Sequence, residues 1–274
     1  MMHGAPEGFS LVPGTERVTA TAVVFDVRRL EGDGAPLVCK RLGSRAAGEP
    51  WVRARLAAEG RLLEQLGGRG TPALVAAGED AGGPFIVMRR VTGEPLSRRL
   101  GEGASAWLAP ATRAAFAALE AVHAARVVHA DLNPDNVLVS ADGGEATILD
   151  FGLAVWPGAP PMPAGPFRGT PAYAAPELAR GEPFDARVDL FGLAATLLHA
   201  ASGRSPRPQD SEAAVLLAAG EQDVTAWAMS AARELPAHVA DALVRCCAFE
   251  AGDRPSSAAQ VRAQLERLGV APLA

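Results

Sequence analysis

The chain has 274 residues, of which 49% are hydrophobic and 21% charged, with a formal net charge of −5. That length builds one or two packed domains, and the composition excludes a disordered chain. No basic patch stands out and no apolar run is long enough to span a bilayer, which argues against nucleic acid as main partner and against a membrane protein.

The opening "MMHGAPEGFSLVPG" lacks the basic-then-apolar layout of a secretory signal, so a cytoplasmic protein is expected. Residues 18–30, "VTATAVVFDVRRL", are β-branched and apolar and predict a strand; "EGDGAP" is a turn cluster, and "LVCKRL" predicts a second strand. The two are expected to pair as an antiparallel hairpin. A helix is expected over 50–67, bracketed by Pro50 and Gly67. Leu56, Leu62, Leu63 and Leu66 form its apolar stripe, and Glu59 falls on the same stripe. A carboxylate facing inward needs a partner. Lys40 is the natural one, because the chain has 25 arginines and this single lysine.

"PALVAAGED" and "GPFIVMRRV" predict two more strands joined by "EDAGG", followed by a linker, "TGEPL". From about residue 106 the pattern turns helical, with a long helix in "APATRAAFAALEAVHAARVV". A short hairpin is expected in "NVLVSADGGEATILDFG". Residues 154–167 are rich in Pro and Gly and predict a loop. Helical patterns return over 186–202, 211–220, 236–249 and 256–269, and there is no internal repeat. The expected organisation is a flexible flank over 1–9, a β-rich lobe over 10–91 and an α-rich lobe over 92–274.

Residue usage drifts towards Ala, Gly, Pro and Arg. Residues that persist against the drift point to chemistry. The two asparagines, Asn133 and Asn136, both fall in "HADLNPDNVLV", and the one tyrosine, Tyr173, falls in "RGTPAYAAPE". Cys39, Cys246 and Cys247 have neither the spacing nor the number for a zinc site or a disulfide framework, and read as small buried hydrophobes. His123 and His129 are six apart, which does not put them on one helical face.

"LVCK", "HADLNPDNVLV", the "LDFG" whose Asp150 lies fourteen residues beyond Asn136, "RGTPAYAAPE" and "DRPS" carry a resemblance over roughly residues 10–270. The chain resembles the eukaryotic-like serine/threonine protein kinases. The resemblance implies an α+β, bilobal fold: a small antiparallel β-sheet lobe with one helix, and a larger, mainly α-helical lobe. It implies ATP- and Mg²⁺-dependent transfer of the γ-phosphate to Ser/Thr hydroxyls of a protein. Lys40 would contact the α- and β-phosphates and Glu59 would hold it. Asp131 would take the hydroxyl proton, and Asn136 and Asp150 would bind Mg²⁺. Val24 and Val38 would form the roof of the adenine slot, Leu138 its floor and Met88 its gatekeeper. Backbone groups of Arg89 and Val91 would meet the adenine edge. Thr170, beside Asp131, and Tyr173 would lie in the segment that docks a peptide. Glu177 would pair with Arg254, and Asp189 would anchor the catalytic loop.

Three departures bear on this reading. Counting back from Val24, the glycine positions of the phosphate loop hold Arg17, Thr19 and Ala22, whose side chains are expected to keep that loop further from phosphates, unless Arg17 organises it instead. Asn133, counted with Asp131 and Lys40 in the catalytic set, stands where serine/threonine kinases usually have a lysine. Losing one such contact is worth about 2–4 kcal/mol and is expected to slow turnover. Two other readings stay open on the sequence: a pseudokinase serving as a nucleotide-binding scaffold or regulator, and a small-molecule phosphotransferase. The expected partner is a protein substrate or a separate regulator, since no sensor or anchor segment is recognisable; the sequence does not fix an oligomeric state.

The third departure is Ala130, where many family members carry the arginine that receives an activation-loop phosphate. Residues 153–169 contain no Ser, Thr or Tyr, so signal and receiver are absent together. Phosphatase treatment is therefore expected to leave basal transfer unchanged, measured as incorporation of labelled phosphate before and after.

Overall fold

The computed structural model describes residues 4–19, 21–32, 34–43, 48–102, 106–163, 165–208 and 210–267. The chain divides into two compact units: Met1–Val91 with Gly158–Gly165, and Thr92–Pro157 with Pro166–Ala274. The outer parts of the expected flank and last helix, residues 1–3 and 268–269, lie outside the described residues.

The first unit is a six-stranded antiparallel sheet with one helix. Its strands are β1 (Phe9–Leu11), β2 (Arg17–Val18), β3 (Ala22–Arg29) and β4 (Leu37–Leu42), then, beyond helix α1 (Pro50–Leu66), β5 (Leu74–Asp80) and β6 (Gly83–Arg89). The order is β1-β3-β4-β6-β5, with β2 also paired to β3. The single strand expected over 18–30 is therefore corrected. Thr19 closes a turn onto Ala22: its N–H donates to the Ala22 carbonyl at 2.8 Å, and its hydroxyl accepts from the Ala22 N–H at 3.0 Å. A threonine hydroxyl that bonds the backbone competes with the strand ladder, and here it folds Arg17–Val18 back onto Val24–Val23.

Strand alternation gives the sheet two faces. One carries the core cluster of Val23, Phe25, Val27, Leu37, Cys39 and Val87. The register sets Val24 opposite Lys40, Lys40 opposite Ile86 and Val38 opposite Met88, so these five share the other face. Helix α1 packs on that second face. A Cβ added to Gly60 would lie 2.9 Å from the Ala77 Cβ and 3.6 Å from Ile86, so only glycine lets the helix approach this closely. Pro50 opens the helix, and Gly67, at φ 59°, closes it with an N–H to the Leu63 carbonyl at 3.0 Å. Arg41, next to Lys40 but on the core face, is buried against Asp80, at 2.9 and 2.6 Å, and the Gly83 carbonyl at 3.1 Å.

The second unit begins with β7 (Glu94–Pro95), in the segment read as a linker. It pairs with β8 (Val137–Val139), which pairs with β9 (Ala146–Ile148). The rest is helical: α2 (Leu108–Ala124), α3 (Pro176–Ala179), α4 (Arg187–Ser202), α5 (Glu212–Glu221), α6 (Thr225–Ala231), α7 (Ala237–Cys246) and α8 (Ala258–Arg267). Helix α4 is buried on every side from Val188 to Leu198 and apolar there except for Asp189 and Thr196, as a helix without a polar stripe must be. Helices α2, α6 and α7 pack around it. At Gly192 an added Cβ would come within 3.2 Å of the Leu132 carbonyl, so α4 lies directly against the loop that follows α2.

The pairing of Glu177 with Arg254 is present in the structure. The guanidinium meets the two carboxylate oxygens at 2.6 and 2.9 Å and also donates to the carbonyls of Ala248, Phe249 and Arg187. Its side chain is fully buried. Removing one member of such a pair strands the other charge in the interior. Arg254→Ala is expected to lower unfolding free energy by about 3–5 kcal/mol, read as a shifted midpoint in urea.

Candidate active site

In the first unit, Lys40 Nζ lies 2.8 Å from each oxygen of Glu59. Both residues are nearly excluded from solvent, at 7% and 2% exposure. Desolvating two charges costs several kcal/mol per ion, so a buried pair is weak evidence of stabilisation and stronger evidence of use. One turn before Glu59 on the same face of α1, Arg55 is buried too, and burial pushes its guanidinium below the usual range against the opposing pull of Glu59. It donates to the Pro160 carbonyl at 3.0 Å. Pro160, distant in sequence, is thereby tied to the helix that carries Glu59. Val24, Val38 and Met88 lie half-buried on the same sheet face as Lys40, and Val91 is half-buried past the end of β6. The Arg89 N–H donates to the Ala73 carbonyl at 2.9 Å, so the amide of that residue is already used.

In the second unit, the loop between α2 and β8 is held by Asp189. Its Oδ2 accepts from the His129 N–H at 2.7 Å and His123 Nε2 at 2.9 Å, and its Oδ1 from the Ala130 N–H at 2.8 Å. The two histidines that cannot share a helical face thus converge on one carboxylate from separate elements. Ala130 sits at φ 62°, a left-handed conformation that a residue with a Cβ rarely adopts. His129 Nδ1 accepts from the Asp131 N–H at 3.2 Å and Nε2 meets the Leu149 carbonyl at 2.8 Å, so a neutral ring with its proton on Nε2 satisfies both.

Asp131 is the hub of the loop. Its Oδ1 accepts from the Thr170 N–H at 2.9 Å and Asn133 Nδ2 at 3.3 Å. The same Asn133 amide donates to the Thr170 hydroxyl at 3.0 Å, while its Oδ1 accepts from the Asp135 N–H at 3.0 Å. Asn133 therefore does not replace a lysine's charge; it ties Asp131 to Thr170. Asn136 Nδ2 donates to the Asp131 carbonyl at 2.9 Å, and the Asn136 carbonyl accepts from the Leu149 N–H at 2.8 Å. The β8–β9 hairpin so brings Asn136 beside the residue preceding Asp150. Asp150, exposed and at φ 59°, accepts from the Gly152 N–H at 3.1 Å. Leu138 lies half-buried in β8. The Tyr173 hydroxyl is hydrogen-bonded to His199 Nδ1 at 2.7 Å and its ring stacks on that imidazole, and burial raises its phenol above the usual range.

An amide oxygen and a carboxylate make a hard donor set suited to Mg²⁺, which is commonly held by one or two protein groups plus phosphate oxygens. Among the described residues no cluster of three or more His, Cys, Asp or Glu could hold a metal by itself, and no helix is long and apolar enough to cross a membrane.

Residues 21–265 match the protein kinase domain. The chain belongs to the protein kinase family. This kinase domain is 42% identical over 173 residues to the DNA damage-responsive serine/threonine-protein kinase RqkA of Deinococcus radiodurans, a match covering 60% of this chain and 26% of that one. It is 30% identical over 238 residues to the serine/threonine-protein kinase PknL of Mycobacterium tuberculosis, covering 85% and 59%. It is 31% identical over 191 residues to the serine/threonine-protein kinase Pkn1 of Myxococcus xanthus, covering 68% and 28%. The kinase domain thus spans between about a quarter and three fifths of these relatives.

Burial raises the Asp131 carboxyl above the usual range, partly offset by the bonds from Thr170 and Asn133. Ionising it in the folded protein therefore costs stability at neutral pH, and the cost fades as pH falls through its raised pKa towards the unfolded value of about 3.9. Asp131→Asn is expected to melt at or above the unsubstituted protein at pH 7, with the gain shrinking towards pH 4, read as melting temperature against pH.

Proposed function

We propose that this kinase domain transfers the γ-phosphate of ATP to serine or threonine hydroxyls of a protein substrate. The observation that carries the proposal is the Asp131–Asn133–Thr170 triangle, which holds one carboxylate oxygen on the docking segment. In this reading Asp131 orients the substrate hydroxyl and accepts its proton. Phosphoryl transfer asks the protein for positioning and charge neutralisation rather than covalent chemistry. Lys40, fixed by Glu59, supplies a cation for the α- and β-phosphates. Asn136 and Asp150 hold Mg²⁺, which when bound neutralises charge on the β- and γ-phosphates. Val24, Val38, Met88 and the backbone at Arg89 and Val91 contact the adenine. Thr170 and Tyr173 belong to the segment that docks the protein. Hydroxyl-bearing aliphatic side chains are favoured as acceptors because Thr170 occupies the place beside Asp131. The three unpaired, buried cysteines suit a reducing cytoplasm.

Labelled ATP, Mg²⁺ and a generic basic protein test this, beside Asp131→Ala and Lys40→Met. Transfer to serine or threonine is expected, falling at least about 100-fold in each variant, and about 10-fold in Asn133→Ala. Nucleotide binding without transfer would overturn the catalytic part. Labelling of a sugar or an antibiotic but of no protein would overturn the substrate class.

A further inference from the structure

Arg207 lies in the loop after α4 and is 1% exposed. Its Nη1 donates to the carbonyls of Ala172, at 2.8 Å, and Ala174, at 3.1 Å, and its guanidinium lies 5.3 Å from the Phe191 ring centre. Nε and Nη2 are buried without a hydrogen-bond partner among the described residues. The neighbouring Cys247 offers no counter-charge, since burial pushes its thiol up to about 12. Burial lowers Arg207 to about 10, so it remains a cation at neutral pH. Arg254, on the same Phe191 ring, has Glu177; Arg207 has two neutral carbonyls. A buried cation without an anion is costly, and an apolar side chain of similar volume would be better tolerated there. Stability therefore does not account for an arginine at this position.

What it touches does. Ala172 and Ala174 belong to the turn Pro171–Tyr173 and the residue after it, next to Thr170, whose N–H and hydroxyl are bonded to Asp131 and Asn133. We propose that Arg207 is a positioning residue for substrate docking, fixing the backbone of residues 170–175 from the interior. The docking role rests on the protein-kinase reading above; the fixing of the segment does not.

Arg207→Met and Arg207→Lys separate the two. Hydrogen exchange at the Tyr173 and Ala174 amides is expected to speed up at least about 10-fold in Arg207→Met, with an unchanged or higher melting temperature, and less in Arg207→Lys. In the transfer assay, KM for the protein substrate is expected to rise about 5- to 10-fold in Arg207→Met while KM for ATP stays put. Unchanged exchange at residues 170–175 would overturn the proposal. So would faster exchange throughout the unit with a lower melting temperature, or equal shifts in both KM values, since each marks a purely structural residue. If the unsubstituted protein labels no protein at all, the kinase reading fails, and the exchange arm still decides whether Arg207 holds the segment.

Discussion

The carboxylate of Asp189 sets the geometry on which the second unit's chemistry depends. It is rooted in α4, a helix enclosed by apolar side chains, and it accepts three hydrogen bonds from the loop and α2. A left-handed alanine costs about 1–2 kcal/mol. Hydrogen bonds to a charged group contribute about 1.5–3 kcal/mol each, so the bonds to the His129 and Ala130 amides offset that strain. With Ala130 fixed, Asp131 points where Thr170, Asn133 and Asn136 can reach it. The Asp131 carboxylate is thus oriented by backbone held from the interior, and the close approach at Gly192 keeps α4 near enough to do so.

Buried cations divide the work of the fold, and four of them differ in what answers the charge. Arg254 has a carboxylate and three carbonyls, enough acceptors for a five-donor fork, and acts as a strut. Arg41 has Asp80 and closes the β5–β6 turn. Lys40 has Glu59, and its ammonium is a compact charge that suits phosphate better than a planar fork does. Arg207 has no anion among its hydrogen-bond partners. In a chain that uses arginine almost everywhere, the one ammonium and a fully buried arginine whose side chain bonds to carbonyls without an anion are the informative exceptions.

What could be read from the sequence was whatever carries a period or a spacing. The α1 brackets and its leucine stripe were legible, and so was an inward Glu59 needing a cation. The catalytic-loop and "LDFG" spacing located the residues that the β8–β9 hairpin brings together. Elements too short for a period were not legible: β2 and β7 are two residues each, and α6, "TAWAMSA", spans seven. The Thr19 turn hid inside a β-branched run because a hydroxyl bonded to its own backbone leaves no mark on hydropathy. Arg207 sits among prolines in what looks like a surface loop, and its burial is a tertiary fact. The histidines illustrate the same limit: their spacing excluded a shared face, and only the fold shows them meeting at Asp189.

Arg55 grips a main-chain oxygen of Pro160. Such an acceptor is part of every copy from the moment the polypeptide folds, and no second enzyme can write or erase it. A switch that adds or strips charged groups finds no purchase on this brace.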